Sequence, residues 1–388
     1  MDAVAADGRN RWTPEFLDSM RLVADPEADA LIREVEEKHG FDAVMKLRPF
    51  FDNWDAPVTD DLPACIREFF LTPVEYPSWV DFDKIRIAED LFVSYGPVST
   101  VVLLLNAVPR FFTNPAGARS FYMAKIFGPD SVRNRIMEVP KFVINITRHG
   151  GLAQMRDPAT GAVQKGIGMI TVQKLRMAHA RIRCLFRMDP KDEGVWDYKK
   201  LGQPINQEDL AEAVMHFCLS TVEGLVKVGI DQTPEQEEGT LMAWKTVAFL
   251  LGLREDLQPV GVPEATWLRD TIMQRHSQPT MEGKALIVEM LDIVDDFLPF
   301  FLRSFPAGLM RYQLGDRIAD MLAVPNPKLL LFLLTILKPV WEKDKVFAKL
   351  AMKISPHVVN WLVNTPPSRN QAQFVLPPRL AATWGVKQ

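Results

Sequence analysis

Residues 170–186 read ITVQKLRMAHARIRCLF. Leu175, Ala178, Ile182, Leu185 and Phe186 recur at helical spacing and make one apolar stripe. Lys174, Arg176, Arg181, Arg183 and the following Arg187 make the remaining surface basic. His179 sits mid-helix, with Arg176 one turn before it and Arg183 one turn after, both close to its face. An imidazole on an apolar wall between two guanidinium groups suits a buried metal cofactor that carries its own carboxylates. Heme b is such a cofactor: its iron takes a nitrogen ligand, its macrocycle takes apolar walls, and its propionates take cations. The same pattern also fits a histidine packed in an ordinary core beside a solvated basic face, and spacing alone leaves both readings open.

The 388 residues suffice for one large domain or two small ones. Hydrophobic residues make up 47% and charged residues 24%, the balance of a globular chain. A net charge of -4, with no basic tract, argues against a nucleic-acid partner. Cys65, Cys184 and Cys218 are widely spaced and odd in number, which reads as reduced core thiols. The opening MDAVAADGRNRWTPEF shows no signal-peptide core, so a cytoplasmic protein is expected. The longest apolar run, Leu329 to Leu337, is too short to span a bilayer; it reads as a buried helix, with peripheral membrane contact as the alternative.

Helical periodicity dominates outward from the histidine segment. Helices are expected over residues 27–39, 41–51, 63–71, 83–106, 116–127 and 130–147, the fourth kinked or split at Gly96-Pro97. The stretch RDPATGAVQKGIG is a turn-rich loop or short hairpin. Asn206 and Thr233-Pro234 then open two capped helices. Further helices follow over residues 263–274, 281–301, 306–322 and 327–337, and the tail 366–388 reads as extended. The expectation is an all-α fold, a single many-helix domain over residues 1–388.

Four segments, QKLRMAHARIR, GQPINQEDLAEAV, WKTVAFLLGL and MRYQLGDRIADMLAVP, resemble successive blocks of the latex-clearing-protein or rubber oxygenase family, which includes fungal oxygenases that cleave prenyl chains. The resemblance runs from about Leu91 to Pro325. It implies a globin-like heme-binding core over residues 85–325, heme b as cofactor, His179 as the iron's ligand, and dioxygen with a hydrophobic small-molecule substrate, isoprenoid- or lipid-like, as partners. It places the distal helix at RNRIMEVPKFVINIT, residues 133–147. Family members carry an arginine there, followed three and four residues on by lysine and threonine. Here the arginine aligns with Arg135, while Glu138 and Val139 occupy the other two positions, a reversal of charge at the site. Val139 and Phe142 are expected to wall the cofactor, Arg176 and Arg183 to meet its propionates, and Arg311 to reach a propionate or brace the proximal side, with an ordinary solvated arginine as the equal alternative.

Arg135 and Glu138 are three apart and share a helical face. A distal carboxylate can act as acid or base on a bound oxidant, with the arginine holding it ionised. Other signatures are missing: no HExxH, paired CxxC, P-loop or GxSxG occurs. His39 and His149 lie beside glycines at helix ends, His216 reads as a packing residue, and His276 and His357 read as exposed. The function expected is a heme-dependent oxygenase, possible C=C cleavage included. A heme peroxidase or peroxygenase, or a non-catalytic helical protein binding a hydrophobic ligand or a gas, stays open beside it.

Overall fold

The computed structural model describes residues 11–123, 131–187, 196–295, 303–328, 346–364, 376 and 378–385. Helices α1 (Pro14–Met20) and α2 (Pro26–His39) each begin on proline, capped by the side chains of Thr13 and Asp25. Short helices α3 (Phe41–Lys46), α4 (Arg48–Asp52) and α5 (Ala64–Leu71) follow. The long α6 (Phe82–Val102) passes into a π-helical segment, Leu103–Ala107, and then α7 (Val108–Phe111). Next come α8 (Pro115–Tyr122), α9 (Ser131–Thr147), the hairpin strands β1 (Gln154–Arg156) and β2 (Val163–Lys165), and α10 (Ile167–Arg187), which carries His179.

Beyond α10 lie α11 (Tyr198–Leu201) and α12 (Gln207–Met215), a second π-helical segment at His216–Ser220, and α13 (Thr221–Lys227). Helix α14 (Pro234–Leu250) opens with a full capping box between Thr233 and Gln236. The rest of the described chain forms α15 (Val262–His276), α16 (Met281–Asp295), α17 (Ser304–Leu314), α18 (Asp316–Met321), α19 (Val346–Asn364) and α20 (Pro378–Trp384). The fold is all-α apart from the two-stranded hairpin among the described residues. Its main core draws on α6, α9, α12, α14, α16 and α17, while a second cluster seats α2 to α5 against Met177, Ala178 and Ala180 of α10.

Helix α6 is not split at Gly96-Pro97, one of the two outcomes expected there. It runs unbroken through Pro97, and the irregular turn comes later, at the π-helical Leu103–Ala107. Proline removes one backbone donor, and the carbonyl it strands four residues back, Val93 O, accepts a bond from Trp384 Nε1 at 2.9 Å. With that carbonyl satisfied, the helix has no need to break. By length and composition the helical stretch Phe82–Phe111 is apolar enough to cross a membrane, but 72% of its most apolar window is buried inside the protein.

The tail is corrected in part. Residues 378–384 form α20 rather than extended chain, because Leu380, Ala381 and Trp384 share one helical face and bury against the main core. The apolar run 329–337 and most of the tail's first half lie outside the described residues. His276 is also not exposed: its Nε2 lies 2.9 Å from Glu208 Oε2 and 3.2 Å from an Arg21 guanidinium nitrogen.

Candidate active site

Helix α10 has three working faces. Leu175, Ala178, His179 and Ile182 turn to a cavity of about 200 Å³. Arg176, Arg183 and Arg187 turn instead to α2. There Arg176 binds Asp25 through Nε at 2.6 Å and Glu27 at 2.7 Å, Arg183 Nε binds Asp29 at 2.7 Å, and Arg187 binds Glu36 at 2.9 Å. The third face is buried against the chain around α4. Lys174, wholly buried, donates to the carbonyls of Asn53 at 2.7 Å, Trp54 at 3.3 Å and Ala56 at 2.7 Å. It thereby fixes the loop that presents Trp54 to the cavity, where Trp54 meets Phe142 edge to face.

No hydrogen bond from any described residue reaches the His179 ring. Burial, together with the nearby Arg183 and Arg135 guanidiniums, pushes its pKa down to about 3, so the ring is neutral at physiological pH. A neutral imidazole with a free nitrogen lone pair, facing an apolar space, is what a metal ligand requires. The far side of the cavity comes from α9, α8 and α12. Arg135, Glu138, Val139 and Phe142, one face of α9, all line it. Phe111 leans over α8 at Gly117, where a Cβ would lie 2.5 Å from its ring. Ser120 Oγ, which has no hydrogen-bond partner among the described residues, also borders the space.

The structure therefore brings His179, Arg135, Glu138, Val139 and Phe142 to one cavity. It does not bring Arg176, Arg183 or Arg311 there. Arg311 donates to Val324 O at 2.9 Å and to Asp316 and Asp320 at 2.8 and 2.7 Å, bracing α17 on α18. The expectation that these three meet propionates is corrected by their geometry: none of them lines the cavity, and each pairs with carboxylates of a neighbouring helix, although one terminal nitrogen of Arg183 has no partner among the described residues. Arg135 is the cavity's arginine. Its guanidinium donates to Glu138 Oε2 at 3.1 Å and Asp52 Oδ1 at 3.1 Å. Burial opposes its charge, but the two carboxylates outweigh that and hold its pKa above the ordinary value.

Sequence reasoning missed two features. Asp209 lines the cavity, its carboxylate accepting from Asn114 Nδ2 at 2.9 Å and Asn206 Nδ2 at 2.6 Å. Burial pushes its pKa up to about 7. Its position in the first turn of a capped helix was readable, but its direction was not. Ile205, also on the cavity, has φ 54, a left-handed backbone that costs a branched residue on the order of 1–3 kcal/mol. The bonds from Gln203 N to Arg21 O and from Gln207 N to Val23 O pin the segment on either side of it.

The family model described as the ER-bound oxygenase mpaB/B'/rubber oxygenase catalytic domain matches residues 127–336, more than half of the chain. The chain belongs to this family. Its members' name makes the protein an oxygenase, and the matched segment spans α9, α10 and α12. A rubber oxygenase from a Streptomyces species is 24% identical over 310 residues, covering 79% of this chain and 72% of that protein. The solved structure of latex clearing protein in its closed state aligns with a TM-score of 0.65 at 21% identity, over 95% of this chain and 89% of that one, which shows a shared fold.

Proposed function

We propose that the oxygenase holds heme b in the cavity at His179 and uses dioxygen to oxidise an apolar, isoprenoid- or lipid-like substrate at a carbon–carbon double bond. The observation that carries this reading is the neutral His179 ring, free of hydrogen bonds from the described residues, on the wall of an otherwise largely apolar cavity. The residues present fit the group. His179 would ligate the iron, Leu175, Ile182, Val139 and Phe142 would wall the macrocycle, and Arg135 with Ser120 would offer polar contacts at its edge. Heme supplies the activation of dioxygen that no side chain can.

The chain's own residues supply the rest. The apolar walls exclude water and favour a greasy substrate. Arg135, fixed from two sides, presents positive charge where negative charge would develop. Glu138 can hold or pass a proton at its carboxylate, positioned by the same arginine. That carboxylate, at a position where the family resemblance implies a lysine, also favours a second reading, a peroxidase or peroxygenase in which Glu138 moves the proton of a peroxide.

The test is the absorption spectrum and iron content of the purified full chain. A Soret band is expected in the wild type and its loss, with loss of iron, in His179→Ala. A colourless wild type, or an unchanged spectrum in the variant, overturns the assignment. Oxidation of squalene or a polyisoprene oligomer with dioxygen, against oxidation with hydrogen peroxide, separates the two readings.

A further inference from the structure

Helix α9 divides two cavities. Its Arg135, Glu138, Val139 and Phe142 face the His179 cavity, while Ile136 and Met137, rotated around the helix, face a second space of about 180 Å³. The second space is walled almost wholly by hydrocarbon: Val101 and Leu105 from the α6 region, Leu309 and Met310 from α17, Ile293 from α16 and Trp361 from α19. Apolar cavities of roughly 150 Å³ stay dry and take up hydrophobic guests. Nothing in the catalytic reading uses this space.

Its mouth lies along α19. Leu350 and Ile354, one turn apart, line the cavity and yet remain 46% and 47% exposed. The residue before each is an exposed lysine, Lys349 and Lys353, and exposed His357 continues the row one turn on. Neither lysine has an ion-pair or hydrogen-bond partner among the described residues, and α19 contains no acidic residue. An apolar chamber thus opens beside a short cationic row. We propose that this cavity binds a single-chain anionic amphiphile of the long-chain carboxylate class, its chain among Ile136, Leu309 and Trp361 and its carboxylate at Lys349 and Lys353. The sign of charge follows from the site: a neutral hydrocarbon would leave the cationic row unused, and a cationic amphiphile would be repelled by it. The site is independent of whatever occupies the His179 cavity.

The experiment uses the full chain with dodecanoate, dodecyltrimethylammonium and a dodecanoate carrying a mid-chain diazirine. Photolabelling followed by peptide mapping is expected to mark residues 304–314 and 346–364. Dodecanoate should displace the label about tenfold better than the cationic amphiphile, as two weak surface ion pairs allow. The double substitution Lys349→Gln and Lys353→Gln, on exposed side chains and so harmless to folding, should bring the two competitors within about threefold of each other. Leu309→Trp, which fills the chamber, should abolish labelling of both segments. Label confined to 175–182 and 210–217, the walls of the other cavity, overturns the proposal. So does displacement that ignores charge in the wild type, or labelling that survives in the filled variant.

Discussion

Glu212 Oε1 faces His216 Nε2 at 3.6 Å, one turn apart on the same buried stretch of helix, and neither atom has a hydrogen-bond partner among the described residues. Burial lowers the His216 pKa well below its usual value and pushes that of Glu212 up to about 7, where the Asn114 amide also binds it. The imidazole is therefore neutral at neutral pH, where the Glu212 carboxyl is in mid-titration. At 3.6 Å the two atoms are too far apart for a direct hydrogen bond, while Nδ1 lies 3.1 Å from Ser220 Oγ.

Glu212→Gln follows directly. A glutamine keeps the acceptor for Asn114 and places an amide that does not titrate beside His216 Nε2. The folded-state pKa of Glu212 lies above its unfolded value of 4.5, so its contribution is fully present below about pH 4.5 and is lost as pH rises through about 7. The variant should match the wild type at pH 5 and exceed it by about 1 kcal/mol at pH 8. Urea unfolding at the two pH values measures this, and a variant no more stable at pH 8 would refute the raised pKa of Glu212.

Much of the frame was legible in the sequence because its signals are local. Asn206 and Thr233-Pro234 announce their helices through side chains that bond the next turn. The apolar stripe of α10 gives its inward face, and Arg135 and Glu138 share a face by spacing alone. What failed was the choice between adjacent faces of α10. Period places Arg176 and Arg183 near His179, but only partner helix α2 decides where they point. The acids Asp25, Asp29 and Glu36 run in the same order as Arg176, Arg183 and Arg187, and that matched charge pattern was the overlooked signal. The left-handed Ile205 left no trace, since no local rule puts a branched residue there.

Arg135 has two anchors, and the two should separate by mutation. Arg135→Leu leaves Glu138 and Asp52 close together with their shared cation gone, and should cost about 3 kcal/mol, toward the low end for a broken buried pair because both carboxylates keep some solvent. Glu138→Gln keeps Asp52 on the guanidinium and should cost less than about 1 kcal/mol. Under the proposed reading it should nonetheless slow substrate oxidation about 100-fold, the usual worth of a positioned acid–base group. Steady-state rates beside chemical denaturation test this. Equal loss of stability and rate in both variants would reduce the pair to a structural clamp.

Lys174 holds three carbonyls of the Asn53–Ala56 loop, and with them Trp54 at the cavity wall. Lys174→Met keeps the apolar stem but orphans those carbonyls. The expected cost is about 3 kcal/mol, since each loses a charged donor in a buried setting. The loop should loosen before the core does. Fluorescence of Trp54, isolated by comparing Trp54→Phe, should shift to longer wavelength in the variant at denaturant concentrations where far-ultraviolet circular dichroism is unchanged. A single coincident transition would mean that the loop is held by other contacts.

The bond from Trp384 to Val93 predicts a coupling between residues nearly three hundred positions apart. Trp384→Phe keeps most of the ring packed on Phe92 but strands the Val93 carbonyl, and should cost about 2 kcal/mol from lost packing and an orphaned acceptor. Pro97→Ala restores the helical N–H aimed at that same carbonyl. In the Pro97→Ala background the tryptophan substitution should therefore cost about 1 kcal/mol less, a coupling of the size such cycles detect. Gly96→Ala provides the steric control, because its Cβ would lie 2.3 Å from the Trp384 ring and must expel α20. Limited proteolysis near residue 385 should then accelerate in Gly96→Ala but not in Pro97→Ala. Strict additivity in the cycle would mean that Pro97 and Trp384 act on α6 independently.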